Sequence, residues 1–202
     1  MQLLHIDSSI LADNSVSRVL SAAVVAQVKD TVPGLTVTYR DLATDTVPHL
    51  SGAYLAAAQN EGGQHEVTLQ KDLALGAQIL DEFLAADIIV IGVAQYNFSV
   101  PSQLKAWIDR IAVAGKTFRY TSQGSEGLVG NKRVILAVAR GGFYGQGSPT
   151  ESFEHTLSYL KSVFLFLGIT NPEVITADGV AISAEQRELS ISEALQKISH
   201  LE

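Results

Sequence analysis

The chain has 202 residues, of which 47% are hydrophobic and 17% are charged, where an average soluble domain has about 25% charged residues. This apolar content excludes intrinsic disorder, because the chain can bury enough surface to fold. The 14 basic and 21 acidic side chains give a net charge of −7, which argues against a nucleic-acid partner, and the lack of cysteine excludes disulfides, thiolate nucleophiles and cysteine-bound metals.

The first half of the chain predicts two strands, a helix between them and a long helical segment. Residues 2–7 form a short apolar strand, and the apolar residues of 16–28 recur at helical spacing. A Pro-Gly pair at 33–34 ends that helix, and residues 35–39 alternate as a second strand. Residues 43–86 are predicted to be a loop with one or two helices.

The second half of the chain predicts three more strands separated by helices. Residues 87–94 and 134–138 are nearly continuous apolar runs, typical of parallel strands that are covered on both faces. Pro101 suits the first position of the helix between them. The remaining elements are a helix over 151–167, a strand over 174–177 and a closing helix over 184–201. This alternation implies an α/β fold with a parallel sheet and right-handed crossovers.

These features predict one soluble, cytoplasmic domain with no membrane partner. The first residues lack a cationic segment ahead of their apolar stretch, and Asp7 comes too early for a secretion signal. The longest apolar run, residues 88–94, is far shorter than the roughly 20 residues of a membrane span. The five histidines lie scattered without metal-ligand spacing, so no metal is expected.

The apolar stretch at residues 164–169 is interpreted either as a subunit contact or as a buried helix end. Apolar side chains that the core of a chain of this size cannot hold must lie on the surface or in an interface. We therefore expect a homodimer.

Ligands of a parallel sheet bind outside the carboxyl ends of its strands, so the loops after the first, third and fourth strands form the candidate site. The first loop, residues 8–17, places hydroxyl groups and free backbone N–H groups at the start of a helix. Such a helix end suits a phosphate group, although the nucleoside-triphosphate and dinucleotide motifs are absent. The alternative is that Asn14, Ser15 or Ser17 only caps the helix.

The second and third loops suit a flat aromatic ligand. Tyr96, Asn97 and Phe98 place two aromatic rings and a carboxamide directly after the central strand, which provides an apolar wall with polar contacts at its edge. Gly141 and Gly142 let the backbone approach a ligand without hindrance from side chains, so their N–H groups can bond to ring carbonyls. The alternatives are ordinary aromatic packing in the second loop and a plain turn in the third.

Five motifs, in the same order along the chain, resemble those of the FMN-dependent NADH-azoreductases, also called NADH:quinone oxidoreductases. The motifs are Ser-Ser-Ile-Leu at 8–11, Tyr-Asn-Phe-x-x-Pro-x-Gln-Leu-Lys at 96–105, Gly-Lys-Thr-Phe-Arg-Tyr-Thr at 115–121, Gly-x-x-Gly-Leu-Val at 124–129 and Arg-Gly-Gly at 140–142. The resemblance covers essentially the whole chain.

This resemblance implies a flavodoxin-like fold, with a five-stranded parallel sheet of order 2-1-3-4-5 and helices on both faces. It further implies a single FMN-binding domain over residues 1–202 and a homodimer with one FMN per subunit near the interface. NADH or NADPH would pass a hydride to the flavin and leave, and a quinone or aromatic azo compound would then take two electrons in the same place. Ping-pong kinetics follow, and the chain needs no separate Rossmann site.

The resemblance also implies which residues hold FMN. By matching position, these are Ser9, Ser15, Val16 and Ser17 at the phosphate, Gln95, Tyr96, Asn97 and Phe98 along one edge of the ring, and Ala139, Arg140, Gly141 and Gly142 at its pyrimidine end. Many relatives have Met in place of Gln95 and Ser in place of Ala139. Both changes are tolerated if backbone groups bind the flavin.

Asn97 and Tyr120 are the candidate catalytic-site residues under this interpretation. Asn97 is expected to make a polar contact at the reactive edge of the ring, and Tyr120 and Phe118 are expected to wall the substrate pocket. The alternative for Tyr120 is an aromatic residue on the surface of a hairpin. Arg18 and Lys105 are expected to lie on solvated faces.

A flavodoxin-type electron carrier without direct NAD(P)H turnover is the main alternative, since it shares the sheet and the phosphate loop. It lacks the long 43–86 segment and the Thr-Phe-Arg-Tyr insert. A response-regulator receiver requires an Asp where this chain has Gln95, and a serine hydrolase requires a Gly-x-Ser-x-Gly motif that is absent. The sequence does not choose between NADH and NADPH, or between quinone and azo acceptors.

Overall fold

Five parallel strands form the centre of the computed structural model, which describes residues 1–59 and 63–201. In chain order the strands are β1 (Gln2–Asp7), β2 (Thr36–Asp41), β3 (Ile88–Ala94), β4 (Phe118–Thr121), β5 (Gly124–Gly127), β6 (Arg133–Arg140) and β7 (Glu173–Asp178). Of these, β4 and β5 form a separate hairpin and are not among the five strands of the sheet. The α-helices are α1 (Val16–Thr31), α2 (Gly52–Gln59), α3 (Val67–Ala85), α4 (Ser102–Ile111), α5 (Thr156–Phe166) and α6 (Ala184–Ile198).

The sheet has the order β2-β1-β3-β6-β7, and all its neighbours are parallel. The predicted five-stranded parallel sheet is therefore confirmed. The predicted numbering 2-1-3-4-5 differs in detail, because the antiparallel hairpin β4–β5 comes between the third and fourth strands of the sheet in the chain.

Both faces of the sheet are covered, which explains the unbroken apolar runs of its central strands. Leu4 and Ile6 of β1 belong to a core with residues of α3, α4 and α5. Leu3 belongs to a second core with residues of α1 and α6. Every residue of β3 is buried, since successive side chains enter the two cores in turn.

The predicted helix over 151–167 is in fact two elements. A single 3₁₀ turn covers Glu151–Phe153, and α5 begins only at Thr156. The Glu154 carboxylate separates them, because it accepts hydrogen bonds from the backbone N–H groups of Thr156 (3.1 Å) and Leu157 (2.8 Å). A carboxylate at this position satisfies free N–H groups of the first helical turn.

The predicted helical segment at 43–86 contains α2 and α3, and its residues 60–62 lie outside the described residues. In the 164–169 stretch, Phe164, Leu167 and Ile169 are buried and Leu165 is 60% exposed. That stretch is therefore mainly a buried helix end. Among the described helices, none is long and apolar enough to cross a membrane.

Candidate functional site

The three loops predicted to form the site meet at the carboxyl edge of the sheet. The parallel register aligns Asp7 with Gly92 and Ala94 with Ala139. Backbone hydrogen bonds then continue past the strand ends, from the N–H of Ser8 to the carbonyl of Gly92 (3.3 Å) and from the N–H of Gln95 to the carbonyl of Ala139 (2.9 Å). The first loop is thus joined to the second, and the second to the third.

The start of α1 offers several neutral hydrogen-bonding groups. Ser15 is the N-cap, and its hydroxyl accepts a hydrogen bond from the N–H of Arg18 (3.3 Å). The hydroxyls of Ser15 and Ser17 are buried and lie 3.1 Å apart. The N–H groups of Val16 and Ser17 have no acceptor in the part of the chain that the structure describes. Ser15 does cap the helix, yet two donors stay free for an anion at this positive helix end.

Ser9 joins the first loop to the second loop. Its buried hydroxyl lies 3.0 Å from the Tyr96 hydroxyl and accepts a hydrogen bond from the N–H of Leu11 (3.3 Å). Tyr96 is therefore held by the same loop that leads to the start of α1.

Arg18 holds the first loop in place, which differs from the solvated position expected from sequence. Its side chain is only 17% exposed. The guanidinium donates to both Asp41 carboxylate oxygens (2.7 and 2.8 Å) and to the Ser9 carbonyl (2.8 Å). Asp41 can reach it because the register places the end of β2 beside the end of β1.

The ion pair between Arg18 and Asp41 stabilises the charged form of both side chains. Burial acts to raise the pKa of the Asp41 carboxyl, but hydrogen bonds from Arg18 and from the N–H of Ala43 outweigh burial and hold this pKa below its usual value. The hydrogen bond to Asp41 raises the pKa of Arg18. Lys105, by contrast, is half exposed and pairs with Asp109 one turn along α4 (2.6 Å).

Tyr39 completes this cluster behind the first loop. Its hydroxyl donates to the buried Asp7 carboxylate (3.0 Å) and accepts from Arg18 (3.2 Å). Burial, together with the Asp7 charge, raises the pKa of Tyr39 to about 12. The native state therefore favours the neutral phenol.

Tyr39 is expected to make the protein less stable as the pH rises from 10 to 12. The unfolded chain releases this proton near pH 10, whereas the folded chain keeps it until about pH 12, so the stabilisation is complete below pH 10 and is lost through pH 12. Urea unfolding across this range should show a shallower alkaline loss of stability in Tyr39→Phe than in the wild type. The control is Tyr120→Phe in the hairpin, which should behave as the wild type does. If the free energy of unfolding fell equally steeply with pH in Tyr39→Phe and in the wild type, this would contradict the raised pKa of Tyr39 in the folded state.

The second loop contains a strained two-residue turn. Tyr96 and Ser99 exchange backbone hydrogen bonds (3.0 and 3.1 Å), and Asn97 and Phe98 between them have φ values of 48° and 71°. Positive φ at both central positions is typical of a type I′ turn, which normally contains glycine or asparagine. For a residue such as Phe98 this conformation costs about 1–2 kcal/mol.

Neighbouring elements hold the strained turn in place. The Phe98 ring packs against Phe153 (5.1 Å between centroids) and Tyr144 (6.3 Å), and the N–H of His155 donates to the Phe98 carbonyl (3.3 Å). The N–H groups of Asn97 and Phe98 have no acceptor among the described residues. Backbone strain of this kind concentrates at ligand-binding sites, so these amides are candidate ligand contacts.

The glycines of the third loop provide further free donors. Their carbonyls accept from the following loop, that of Gly141 from Ala181 (3.2 Å) and that of Gly142 from Gly179 (3.1 Å). Within residues 1–59 and 63–201, their own N–H groups have no acceptor. The backbone N–H groups of the third loop are therefore candidate donors to a ligand.

The Arg140 side chain braces the loops. It is buried and makes two hydrogen bonds to Asp178 (2.6 and 2.7 Å). It also lies 3.6 Å from the Glu154 carboxylate that caps α5. Its guanidinium is thus occupied by two carboxylates, and its backbone carbonyl accepts the N–H of Val180 (3.1 Å).

A cavity of about 830 Å³ opens at this edge of the sheet. Three of the predicted residues, Gln95, Tyr96 and Asn97, lie on its wall. Sequence reasoning missed Ile10 and Tyr159, which also line it. Burial, with the Asp109 charge nearby, raises the pKa of Tyr159, so it contributes a neutral phenol. The start of α1 and the paired glycines lie outside this wall.

Phe118 and Tyr120 are not on the wall of this cavity either. Tyr120 lies on the hairpin, 76% exposed, with its ring edge-on to Phe118 (5.5 Å). Phe118 is buried against Phe166 (4.5 Å) and borders a second cavity, of about 560 Å³, beside Arg110. Within one chain, these two aromatic residues are therefore apart from the three loops.

The sequence of this chain is similar to those of known proteins over nearly all of its length. The family described as "Flavodoxin-like fold" matches residues 1–201. An FMN-dependent NADH:quinone oxidoreductase of Xanthomonas campestris is 56% identical over 202 residues, which cover 100% of this chain and 99% of that protein. The FMN-dependent NADH:quinone oxidoreductase 2 of Bradyrhizobium diazoefficiens is 54% identical over the same length and with the same coverage.

Solved structures show the same relationship. An FMN-dependent NADH-azoreductase of Bacillus anthracis, determined in complex with FMN, is 29% identical and superposes with a TM-score of 0.86, covering 98% of each chain. The two sequence relatives match over all 202 residues, and the solved structure covers 98% of this chain. The chain therefore belongs to the flavodoxin-like family that includes the FMN-dependent NADH:quinone oxidoreductases and the FMN-dependent NADH-azoreductases.

Proposed function

We propose that this protein is an FMN-dependent oxidoreductase that transfers two electrons from NADH to quinones and aromatic azo compounds. One observation supports this assignment most strongly: free donors at the start of α1, in the strained turn after β3 and in the glycine loop after β6 all lie at one edge of the sheet. The family relationship supplies the class of reaction.

The residues of this edge fit FMN chemically. The free N–H groups of Val16 and Ser17, at a positive helix end, suit a doubly charged phosphate. The turn and glycine amides suit the carbonyl and nitrogen acceptors of the ring, and Tyr96 supplies an aromatic surface. A cavity of about 830 Å³ falls in the usual range for binding small molecules, about 300–1,000 Å³.

When bound, FMN supplies the redox chemistry, which is hydride acceptance from NADH followed by two-electron reduction of the acceptor. The chain's own residues bind and orient the reactants. Neutral donors at Asn97 and Phe98 would hold the ring edge in this cavity, and the open side of the cavity would admit one flat substrate at a time. Tyr159, as a neutral phenol, can donate to a carbonyl oxygen of that substrate.

The test is a visible spectrum of the FMN-loaded protein in the absence of oxygen, before and after the addition of NADH. We expect NADH alone to bleach the flavin, and a quinone to restore the colour. A flavin that NADH does not bleach would instead support the flavodoxin-type electron carrier. Initial-rate lines at several quinone concentrations should run parallel, because both substrates use one cavity; intersecting lines would contradict a shared cavity.

Asn97 is expected to contact bound FMN through its carboxamide. Asn97→Gly keeps the left-handed turn without strain, whereas Asn97→Ala adds about 1–2 kcal/mol of strain. We expect Asn97→Gly to fold as stably as the wild type but to lose FMN more readily on gel filtration, with Asn97→Ala losing more. Unchanged flavin retention and turnover in Asn97→Gly would remove the side chain from the site and leave only its backbone.

The proposal includes a homodimer. Apolar side chains at this edge of the sheet are exposed in the single chain, for example Ile10 (57%), Phe98 (45%) and Phe153 (47%). An exposed apolar patch is typical of an interface. Tyr120 would contact a substrate only across such an interface. Light scattering at micromolar concentration should give twice the chain mass of 21.6 kDa, and a monomeric mass would contradict the dimer.

We also expect the enzyme to act in the cytoplasm, where its electron donor NADH is available.

A further inference from the structure

Gln95 is held at two points. Its backbone is hydrogen-bonded to β6, and its side-chain amide is hydrogen-bonded to α5. Its backbone N–H donates to the Ala139 carbonyl (2.9 Å), which fixes where the side chain begins. The hydroxyl of Thr156 donates to the Gln95 amide oxygen, Oε1 (3.1 Å). The side chain of Gln95 also lines the 830 Å³ cavity.

Thr156 is a rigid anchor for this amide. It is fully buried and is the first residue of α5, where the Glu154 carboxylate accepts its N–H (3.1 Å). Glu154 in turn lies 3.6 Å from Arg140 of the third loop. The preceding residue, His155, donates to the Phe98 carbonyl in the strained turn (3.3 Å). The position of the hydroxyl is therefore set by the same loops that form the site.

This hydrogen bond determines which end of the amide is free. Because the Thr156 hydroxyl occupies the amide oxygen, the amide nitrogen, Nε2, remains as the free end of the Gln95 side chain. No acceptor for this nitrogen is present in the described part of the chain. An amide nitrogen offers two N–H donors and accepts nothing. Gln95 thus provides an oriented, neutral donor at the cavity.

We propose that Gln95 donates a hydrogen bond to the ring of bound FMN and that Thr156 is the positioning residue that orients it; this inference rests on the proposed function. A hydrogen-bond donor favours the form of its partner that carries more negative charge. Reduction adds electron density to the acceptor atoms of the ring. Gln95 therefore strengthens the binding of reduced FMN more than that of oxidised FMN and raises the reduction potential of the cofactor.

The experiment measures the dissociation constant of oxidised FMN and the midpoint potential of the FMN-loaded protein, which together give the affinity for reduced FMN. Gln95→Met keeps a similar volume and removes the donor. We expect this variant to bind reduced FMN about tenfold more weakly relative to oxidised FMN, which corresponds to a potential about 30 mV more negative for a two-electron couple.

Variants at Thr156 separate orientation from contact. Thr156→Val has nearly the same shape without the hydroxyl, and it should shift the potential in the same direction by a smaller amount. Thr156→Ser retains the hydroxyl and should restore most of the wild-type value. In the Gln95→Met background, Thr156→Val should have no further effect, because the amide that it orients is gone.

Three results would overturn the inference, and they differ from a failure of the proposed function. Wild-type potential and FMN affinity in Gln95→Met would exclude the contact. An equal shift from Thr156→Val with and without Gln95 would exclude the positioning role. A more positive potential in Gln95→Met would reverse the sign of the effect. A wild-type protein that binds no FMN would instead refute the proposed function.

Discussion

Replacing Arg18 with alanine is expected to lower the free energy of unfolding by about 3 kcal/mol and to release FMN. The substitution leaves Asp41, with a side chain only 15% exposed, and the buried Asp7 without a nearby guanidinium, and removing one partner from a largely buried ion pair typically costs about 3–5 kcal/mol. The carbonyl of Ser9 also loses its donor at 2.8 Å. The loop that leads to the start of α1 should then become mobile, and the proposed phosphate site with it.

Urea unfolding and the flavin content after gel filtration are the measurements for Arg18→Ala. The matched control is Arg119→Ala, which breaks an ion pair with Glu126 of similar length (2.8 Å) on the exposed hairpin. Exposed pairs contribute little to stability, so this control should retain both wild-type stability and FMN. An Arg18→Ala protein with wild-type FMN content would show that the first loop does not depend on this pair.

Gly92→Ala is the second substitution with a large expected effect. Gly92 lies in β3 directly beneath α1, and a Cβ atom there would clash with the Asp7 carboxylate and would lie 3.0 Å from the Ser21 hydroxyl and 3.1 Å from the Ser17 backbone carbonyl of α1. Because strand and helix are both closely packed, the start of α1 must move away from the sheet. Overpacking of this kind costs about 1–3 kcal/mol, and the dissociation constant for FMN should rise at least about tenfold.

Isothermal titration with FMN measures this constant directly. Gly52→Ala provides the control, since a Cβ atom at Gly52 would meet nothing within 4 Å, and it should bind FMN with wild-type affinity. If Gly92→Ala also bound FMN with wild-type affinity, the close packing of β3 against α1 would not determine the proposed phosphate site.

Much of the sheet could be predicted from the sequence because buried parallel strands are continuous apolar runs. The prediction of residues 87–94 differs from β3 by one residue. β2 extends past the predicted 35–39 to Asp41. The predicted strand is too short because Arg40 and Asp41 are polar, and only the fold brings them to the distant partners with which they form ion pairs. The short strands of the β4–β5 hairpin have mainly polar residues, so their pattern gave no apolar signal.

The candidate site was predictable as three loops but not as a set of contacts. A charged residue such as Arg18 on a helix gives no sign of being buried until β2 is placed next to β1. In the strained turn, Phe98 stands where glycine, the usual signal for positive φ, would be expected. The bond between Gln95 and Thr156 joins residues 61 positions apart, and only the fold brings them together.

A crystal structure of the protein grown with excess FMN tests the central claim most directly. We predict that the phosphate lies at the start of α1, against the N–H groups of Val16 and Ser17, and that the ring lies beside the turn at Asn97 and Phe98. The claim is that the loops after β1, β3 and β6 form the cofactor site. FMN bound elsewhere, or a space between these loops that is filled by the chain's own side chains, would contradict it.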